Sequence, residues 1–359
     1  MDEGGKGPEL PEARANLSQH TVIWPKNNSC VKGCGVYATL DFCPRLGVES
    51  ILCGLRCGNA TIARCSRRLI AVPATMPNEP PQQNRCASVL SIAGSDSGGG
   101  AGLQADLKSF MAMGVHGLTA VAALTAQNTR AVTSVWLPPP EFLREQIRCL
   151  FEDFDVRAVK IGMLADEVRI RAVLDALSGC RVPVVLDPVM IASSGARLLE
   201  DAAINRLRSE LLPRATLLTP NVPEAEVLVG FGLRRVADFH RAASVLQGMG
   251  VSAVLLKGGH SDEGDSVLDR LYVDGNMHVF RHPRLALSPH GTGCSLSSAI
   301  AACIAKGQEL VQAVETGIDF VHAALSRSYR PGLGQVSVLD HAVGLELRIS
   351  SRRIPCGPR

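Results

Sequence analysis

The chain of 359 residues contains no run of about 18 uninterrupted apolar residues, the length that a membrane-spanning helix requires. Its formal net charge is only +3, which argues against an extensive nucleic-acid-binding surface. Hydrophobic residues make up 46% and charged residues 20%, so there is ample material for a buried core. We therefore expect a globular protein that acts on a small molecule and has neither a membrane nor a nucleic acid as its partner.

Cysteines are sparse in the body of the chain. Six of the 12 cysteines fall within the first 75 residues, and only Cys149, Cys180, Cys294 and Cys303 lie between residues 88 and 346. Such irregular spacing in a long chain does not indicate a disulfide framework. We expect an enzyme of a reducing compartment, the cytoplasm.

Residues 1–86 show no clear hydrophobic period, and we expect a poorly structured N-terminal extension there. Two spaced pairs, Cys30/Cys34 and Cys53/Cys57, suggest a zinc site, because four thiolates complete a tetrahedral shell. However, the spacing is C-x3-C rather than the commoner C-x2-C, and no histidine follows at ligand spacing. The interpretation without zinc is therefore favoured.

Targeting signals are poorly supported in the same segment. No charged start leads into an apolar run that ends at a small-residue cleavage site. Acidic residues at positions 2, 3, 9 and 12 argue against a transit peptide. Met76 stands just before the first well-patterned strand, and we hypothesise that it is an alternative start of the protein.

From Ser88 onward, short apolar runs alternate with amphipathic stretches. This alternation predicts βαβ units and a mostly parallel sheet with helices on both faces. A local hairpin is predicted across Asp274-Gly275-Asn276. The predicted strands are Val89–Ala93, Thr119–Leu124, Ala158–Ile161, Val184–Leu186, Leu217–Leu218 and Val254–Leu256, and the helices include Glu141–Phe151, Val168–Leu177, Cys294–Ala305 and Leu310–Ser326.

The most informative motif is His290-Gly291-Thr292-Gly293-Cys294-Ser295, which opens an apolar helix. Glycines before a helix let backbone N–H groups converge on an anion, and the helix dipole favours negative charge there. A cysteine at this position should have a lowered pKa and could accept a proton from a hydroxyl that attacks a phosphate. Taken alone, however, the motif is more often a glycine-rich helix cap with a small buried thiol.

Three further motifs follow predicted strands. Asn221 and Glu224 stand where oxygen ligands would suit Mg²⁺, although the same spacing describes a plain capping box. Asp187 ends a buried strand, where open α/β sheets bind ligands; alternatively it is a turn aspartate before proline. Lys257, beside two glycines, could reach a phosphate or be a solvated strand terminus.

Another set of candidate residues lies early in the chain. The glycine-rich stretch from Gly94 to Gly102 would allow a ligand to approach closely, but it lacks the G-x-G-x-x-G register of a dinucleotide site. Asp106 and Gln127 would offer the carboxylate and amide that a pyrimidine with an exocyclic amine needs. The sequence thus places one ligand-binding set early and one phosphate-binding set late.

In this order, the motifs resemble those of the hydroxymethylpyrimidine/phosphomethylpyrimidine kinases, a branch of the ribokinase-like superfamily. The resemblance runs from about Ser88 to about His341. It implies a three-layer sandwich with a mostly parallel central sheet and a small β flap, in a kinase domain at 87–345 followed by a tail at 346–359. The matching stretches are Ile92–Lys108, Leu124–Arg130, Lys160–Leu164, Leu186–Met190, Thr219–Ala225, Leu256–His260 and His290–Ser297.

The resemblance also implies an activity and a role for each motif. The expected activity is ATP-dependent phosphorylation of 4-amino-5-hydroxymethyl-2-methylpyrimidine and then of its monophosphate, in thiamin diphosphate biosynthesis, with ATP and Mg²⁺. A homodimer is expected. The implied roles are: Cys294 as base; Gly291, Thr292 and Gly293 as anion hole; Gln127 and Asp106 as ring contacts; Gly94, Met163 and Val189 as ring lining; Lys257 and Asn221 as nucleotide contacts; Glu224 and Asp187 as Mg²⁺ ligands.

The sequence departs from the family pattern at one place, and two other functions compete with the expected kinase activity. The segment Arg330–Gly334 lacks the Gly-His-Gly often found in the family, which puts its part in closing the nucleotide pocket in question. A pyridoxal kinase of the same branch is the enzymatic rival. A catalytically silent pyrimidine-binding regulator is the other, but retention of Cys294, Lys257, Asn221 and Glu224 counts against it.

Overall fold

The computed structural model describes residues 86–190, 199–260, 264–285, 287 and 289–346, together with three short strands nearer the N-terminus. The chain forms two compact units, Met1–Pro81 and Gln82–Arg359. In the first, β1 (Gly35–Cys43), β2 (Val48–Cys57) and β3 (Ala60–Thr61) form an antiparallel sheet. Cys30, Cys34 and Met76 lie outside the described residues, so the preference against a zinc site and the alternative start stay untested predictions.

The second unit is built around a nine-stranded sheet with the order β12-β11-β10-β9-β8-β7-β4-β5-β6. The six strands from β10 to β5 run parallel, and β11, β12 and β6 are antiparallel to their neighbours. The strands are β4 (Ser88–Gly94), β5 (His116–Gln127), β6 (Val132–Trp136), β7 (Val156–Ile161), β8 (Val184–Leu186), β9 (Leu217–Leu218), β10 (Ala253–Leu256), β11 (Ser266–Val273) and β12 (Asn276–Pro283).

Helices cover both faces of this sheet. The helices are α1 (Gly102–Met113), α2 (Pro140–Asp153), α3 (Glu167–Ala176), α4 (Asp201–Arg206), α5 (Val222–Val229), α6 (Val236–Gly248), α7 (Thr292–Ala305) and α8 (Leu310–Ser326). Short helical turns follow α4 at Leu207–Leu211 and Leu212–Arg214, and β10 at Gly258–His260. Two short strands, β13 (Pro289–His290) and β14 (Ser337–Val338), pair in parallel beside the start of α7. Within the described residues, no helix is both long and apolar enough to span a bilayer.

Alternating side chains of the central strands explain the three layers. In β10, Val254 and Leu256 pack into the core that faces α2–α6, whereas Leu255 packs into the core that faces α1, α7 and α8. β4 divides its side chains in the same way and is buried along its whole length. Because successive side chains of a strand point to opposite faces, an uninterrupted apolar strand needs a helical layer on each side. The predicted three-layer α/β sandwich is confirmed.

The antiparallel strands of the sheet form the predicted hairpin and the predicted flap. The hairpin forms between β11 and β12, with Asp274 and Gly275 at φ 50° and 74° in the two-residue turn. The end of β5 pairs with β6 as a two-stranded ribbon, the expected flap. The carboxyl ends of β5, β4, β7, β8, β9 and β10 consequently lie in a row along one edge of the sheet.

Candidate active site

A cavity of about 720 Å³ runs along this carboxyl edge. It collects residues that follow successive strands, as expected for open α/β sheets. Asp106 alone among the predicted site residues does not line it. The predicted residues that do are Gly94, Gln127, Met163, Asp187, Val189, Asn221, Glu224, Lys257, Gly291, Thr292, Gly293 and Cys294.

The N-terminus of α7 forms one wall of the cavity. Gly291, the residue before the helix, has φ 84°, and a Cβ there would lie 1.9 Å from the Gly100 carbonyl oxygen, so only glycine fits. The Ser295 N–H donates to the Gly291 carbonyl, at 2.9 Å, and begins the helical hydrogen-bond pattern. The first N–H groups of the helix have no partner within the helix and attract anions. The start of α7 is therefore compatible with the predicted anion hole at residues 291–293, which stays a prediction.

Cys294 stands in the first turn of α7 and lines the cavity. The expected lowering of its pKa is wrong: burial raises the pKa of the Cys294 thiol to about 11. Lys160 opposes the rise, as does the Gly102 N–H, which donates to the sulfur, while Asp106 and Asp187 add to it. Loss of water around the sulfur is the largest of these influences.

An ion pair joins two of the predicted phosphate-side residues. Lys257 Nζ lies 2.9 Å from Asp187 Oδ1, and Gly293 is so close that a Cβ there would lie 3.1 Å from the same Nζ. Burial alone would lower the pKa of Lys257, but the carboxylates of Asp187 and Glu224 raise it. A lysine held charged beside the anion hole is suited to bind phosphate.

Asn221 and Glu224 form the capping box of α5 and line the cavity as well. The Asn221 side chain accepts from the Glu224 N–H and the Glu224 carboxylate accepts from the Asn221 N–H, both at 2.9 Å. Burial raises the pKa of Glu224 to about 7; Lys257 opposes this rise, and the negative charge of Asp187 adds to it. Asn221 and Glu224 thus cap α5 and line the cavity at the same time.

These oxygens fit a magnesium ion. Two carboxylates, Asp187 and Glu224, repel each other at one wall of the cavity, and a divalent cation would relieve that repulsion. No group of three or more His, Cys, Asp or Glu side chains arranged for a metal occurs in the described part of the chain. Mg²⁺ typically takes only one or two carboxylates and completes its shell with water and phosphate oxygens.

Sequence reasoning missed Asp96, which organises the early glycine-rich loop. One carboxylate oxygen accepts from the Gly98 N–H at 2.8 Å, and the other from Gly100 and Ala101 at 2.9 and 2.8 Å. Burial would raise the pKa of Asp96, but the hydrogen bonds from His290 and from these amides lower it on balance. The sequence signal that could have identified Asp96 is an aspartate two residues before a glycine, which is the pattern of an Asx-turn.

Gln127 reaches the anion-hole loop through a histidine. Gln127 Nε2 lies 2.9 Å from His290 Nε2, which also lies 3.2 Å from Asp96 Oδ2. The end of β5, the glycine-rich loop and the start of α7 are thereby connected by side chains. This connection brings the early and late motifs into one site.

An apolar recess adjoins Gln127. Met163 and Val189 pack with Ala123 there. A Cβ on Gly94 would lie 2.6 Å from the Met163 sulfur, so Gly94 has no room for a side chain. Small flat ligands of modest polarity suit such a recess.

The structure does not place Asp106 as a ring contact. Its side chain is completely buried, and its oxygens lie 2.9 Å from Lys160 Nζ while accepting from Ser91 and Ser298. With both oxygens engaged beneath the cavity, none is left for a substrate. Sequence reasoning also gave no role to Lys160, which lines the cavity floor.

Comparisons with known proteins identify the family of this chain. The phosphomethylpyrimidine kinase family model matches residues 96–339. A hydroxymethylpyrimidine/phosphomethylpyrimidine kinase of Rhizobium meliloti is 46% identical over 69% of this chain and 94% of the relative. The chloroplastic thiamine biosynthetic bifunctional enzyme TH1 of Arabidopsis thaliana is 44% identical over 74% of this chain and 52% of that enzyme. An ADP complex of Bacillus subtilis pyridoxal kinase matches with TM-score 0.67 and 32% identity over 73% of this chain and 99% of that chain.

The three-layer sandwich, with its cavity at the carboxyl edge of the sheet, and the solved neighbours define a kinase of the ribokinase-like class. Such an enzyme is a phosphotransferase for small hydroxylated molecules. More narrowly, the chain belongs to the phosphomethylpyrimidine kinase family.

The buried ion pair generates a stability prediction. We expect Asp106→Asn to lower the free energy of unfolding by about 3–5 kcal/mol, because it leaves the Lys160 charge buried without its partner. Urea unfolding measures the change. The matched control is the double variant Asp106→Leu with Lys160→Met, which removes both charges and should be clearly more stable than Asp106→Asn. Equal stability of Asp106→Asn and the native chain would contradict the assigned pairing.

Proposed function

We propose that the protein phosphorylates 4-amino-5-hydroxymethyl-2-methylpyrimidine with ATP and then phosphorylates the monophosphate to the diphosphate, within thiamin biosynthesis. One observation carries the proposal: the start of α7, with Cys294 and the anion hole, shares a single cavity with the recess at Gln127, Met163 and Val189. A ring in the recess would direct its hydroxymethyl group at the anion hole. The names of the relatives agree with this substrate.

The proposed chemistry uses each wall of the cavity. The hydroxyl oxygen attacks the γ-phosphorus of ATP, its O–H proton passes to the Cys294 sulfur, and the bond to the bridging oxygen breaks to release ADP. N–H groups of residues 291–293 and the Lys257 charge stabilise the transferred phosphoryl group. Gln127 and the apolar recess orient the ring, which is the positioning that phosphoryl transfer chiefly requires.

Asp187 and Glu224 would hold the magnesium ion together with the nucleotide phosphates. The ion supplies charge neutralisation on the phosphate oxygens. Asn221, which fixes Glu224 through the capping box, would keep this carboxylate in place.

Pyridoxal kinase activity is the second candidate function. The Bacillus subtilis pyridoxal kinase shares 32% identity with this chain. The expected preference for an aminopyrimidine rested on Asp106 and Gln127 together. Because Asp106 is buried, it no longer supports that preference. Gln127 remains as the polar group of the recess.

Incubation of the full chain with ATP, Mg²⁺ and hydroxymethylpyrimidine should yield the monophosphate and then the diphosphate, scored by mass spectrometry. Chelation of the metal with EDTA should abolish both products. Pyridoxal, assayed in parallel, should turn over more slowly. Faster turnover of pyridoxal would assign the second function, and no product from either ring would leave only the silent regulator.

Replacing the proposed base should stop chemistry without stopping binding. We expect Cys294→Ala to lower turnover by about 10²–10⁴-fold, the usual contribution of one well-placed base, while the pyrimidine still binds. Cys303→Ala is the matched control, because Cys303 is a buried cysteine of the same helix that does not line the cavity. An unchanged rate in Cys294→Ala would place the base elsewhere.

The pH dependence supplies an independent readout of the same variant. Because the pKa of Cys294 is raised to about 11, the thiolate fraction should grow as pH rises from 7 toward 10. Native turnover should grow with it, whereas Cys294→Ala should lack this slope. A native rate that is flat over this range would contradict a thiolate base.

We also propose a homodimer formed through the flap. Leu124 and Trp136 are directly opposite each other on β5 and β6, and both are exposed, as is the neighbouring Val135. Adjacent exposed apolar side chains on an edge ribbon favour association. Light scattering should give twice the mass of one chain, and Trp136→Lys should halve it. A single-chain mass for the native protein would refute the dimer.

A further inference from the structure

The chain that follows β14 contacts the start of α7 outside the cavity. β14 pairs in parallel with β13, the strand that leads into α7. Leu339 packs into the core formed with α7 and α8, and the imidazole of His341 lies 6.2 Å from the Phe320 ring of α8. His341 is buried and is not among the cavity-lining residues. It has no part in the chemistry proposed above.

The hydrogen bonds of His341 fix the direction of the Ser295 hydroxyl. His341 Nδ1 lies 3.1 Å from the Leu339 carbonyl oxygen, which only accepts, so Nδ1 carries the hydrogen. Burial lowers the pKa of His341 to about 4, and the positive charge of Lys108 adds to this shift. The ring is therefore neutral at pH 7, and its Nε2 is an acceptor. Ser295 Oγ, which lies 2.8 Å from Nε2, donates its hydrogen to that nitrogen.

This direction differs from that of other serines in the helices of the chain. The hydroxyls of Ser109, Ser244 and Ser297 each donate to the backbone carbonyl four residues earlier, at 2.8, 3.0 and 2.8 Å. For Ser295 the corresponding acceptor is the Gly291 carbonyl, which already accepts from the Ser295 N–H at 2.9 Å. A hydroxyl that also bonds to this carbonyl weakens the helix locally and bends it. Such a bend in the first turn of α7 would displace the N–H groups of the proposed anion hole.

We propose that His341 is a positioning residue for phosphoryl transfer: by accepting from the Ser295 hydroxyl, it keeps the first turn of α7 straight and Cys294 directed at the cavity. This inference rests on the proposed function. Because Ser295 is completely buried, a hydroxyl that lost His341 would have no water to bond to and would turn to the helix backbone. His341 thus acts on the reaction through the neighbour of the proposed base, without touching substrate.

The first measurement is pyrimidine phosphorylation by the full chain. His341→Asn keeps a donor for the Leu339 carbonyl but is too short to accept from Ser295. It should lower kcat about tenfold, the usual effect of one hydrogen bond, and leave the KM for the pyrimidine unchanged. His341→Gln, which brings an acceptor near the Nε2 position, should restore most of kcat.

A second change separates positioning from packing. Adding Ser295→Ala to His341→Asn should also restore kcat, because it removes the hydroxyl that competes for the Gly291 carbonyl. Ser244→Ala in the same background is the matched control, because Ser244 is a serine of α6 that bonds to its own helix and does not line the cavity. It should restore nothing. If His341→Asn does not fold, His341→Leu carries the same comparison.

Amide hydrogen exchange gives a readout that does not need turnover. The N–H of residue 295 should exchange faster in His341→Asn than in the native chain, and adding Ser295→Ala should slow it again. An unchanged kcat in His341→Asn, or a loss that Ser295→Ala does not reverse, would overturn the inference. Protection that is lost and then recovered in a chain that phosphorylates no pyrimidine would uphold the effect of His341 on α7 and reject only the proposed function.

Discussion

The buried ion pair between Asp106 and Lys160 is the constraint on which the site depends. Both side chains are fully buried, and Asp106 also binds Ser91 of β4 and Ser298 of α7. Gly102 lies four residues before Asp106 on α1, and Cys294 lies four residues before Ser298 on α7. The Gly102 N–H donates to the Cys294 sulfur, one helical turn nearer the cavity than the contact between Asp106 and Ser298. Residues four apart on a helix share a face, so the ion pair fixes the helix termini that carry the chemistry. Such a pair gives little net stability, but either charge alone is strongly unfavourable there, which enforces one arrangement.

Strand order also sets the order of the cavity-lining residues along the sheet edge. The recess, the anion hole with its lysine and the hairpin end of the cavity follow one another because β5, β4, β7, β8, β9 and β10 are neighbours in that order. Neighbouring strands are about 4.8 Å apart, so a ligand the length of a substrate with a nucleotide spans several of them. Gln127, at the end of β5, and His290, in β13 before α7, are far apart in the chain and meet at 2.9 Å. The proposed linear arrangement of substrate and nucleotide would thus follow from the parallel topology.

Patterns of neighbouring residues predicted the elements that neighbouring residues determine, such as short buried strands. Val184–Leu186 and Leu217–Leu218 were predicted with the observed bounds, because apolar runs bounded by turns need both faces covered. The pattern gave no signal for β6, whose residues are largely exposed. Asp106 was misassigned because its partner Lys160 lies 54 positions away, and pairing at that distance leaves no periodic trace. The direction of the Cys294 pKa shift was also predicted wrongly. A helix terminus can be identified from the sequence, whereas the degree of burial cannot.

That burial limits how the thiol can act. Because burial raises the pKa of Cys294 to about 11, the neutral thiol predominates at neutral pH. Phosphoryl transfer proceeds through a loose transition state in most analyses, so the attacking oxygen becomes acidic only late, when its bond to phosphorus has formed. A thiolate of high pKa is a strong acceptor at that moment, and the nearby Lys160 charge favours it over the thiol. In the proposed mechanism, the amides of residues 291–293 and Lys257 would stabilise the phosphate charge before then, because they are charged or polarised before the substrate arrives. In the proposed mechanism, fixed positive charge and positioning therefore act first, and Cys294 would accept the proton last.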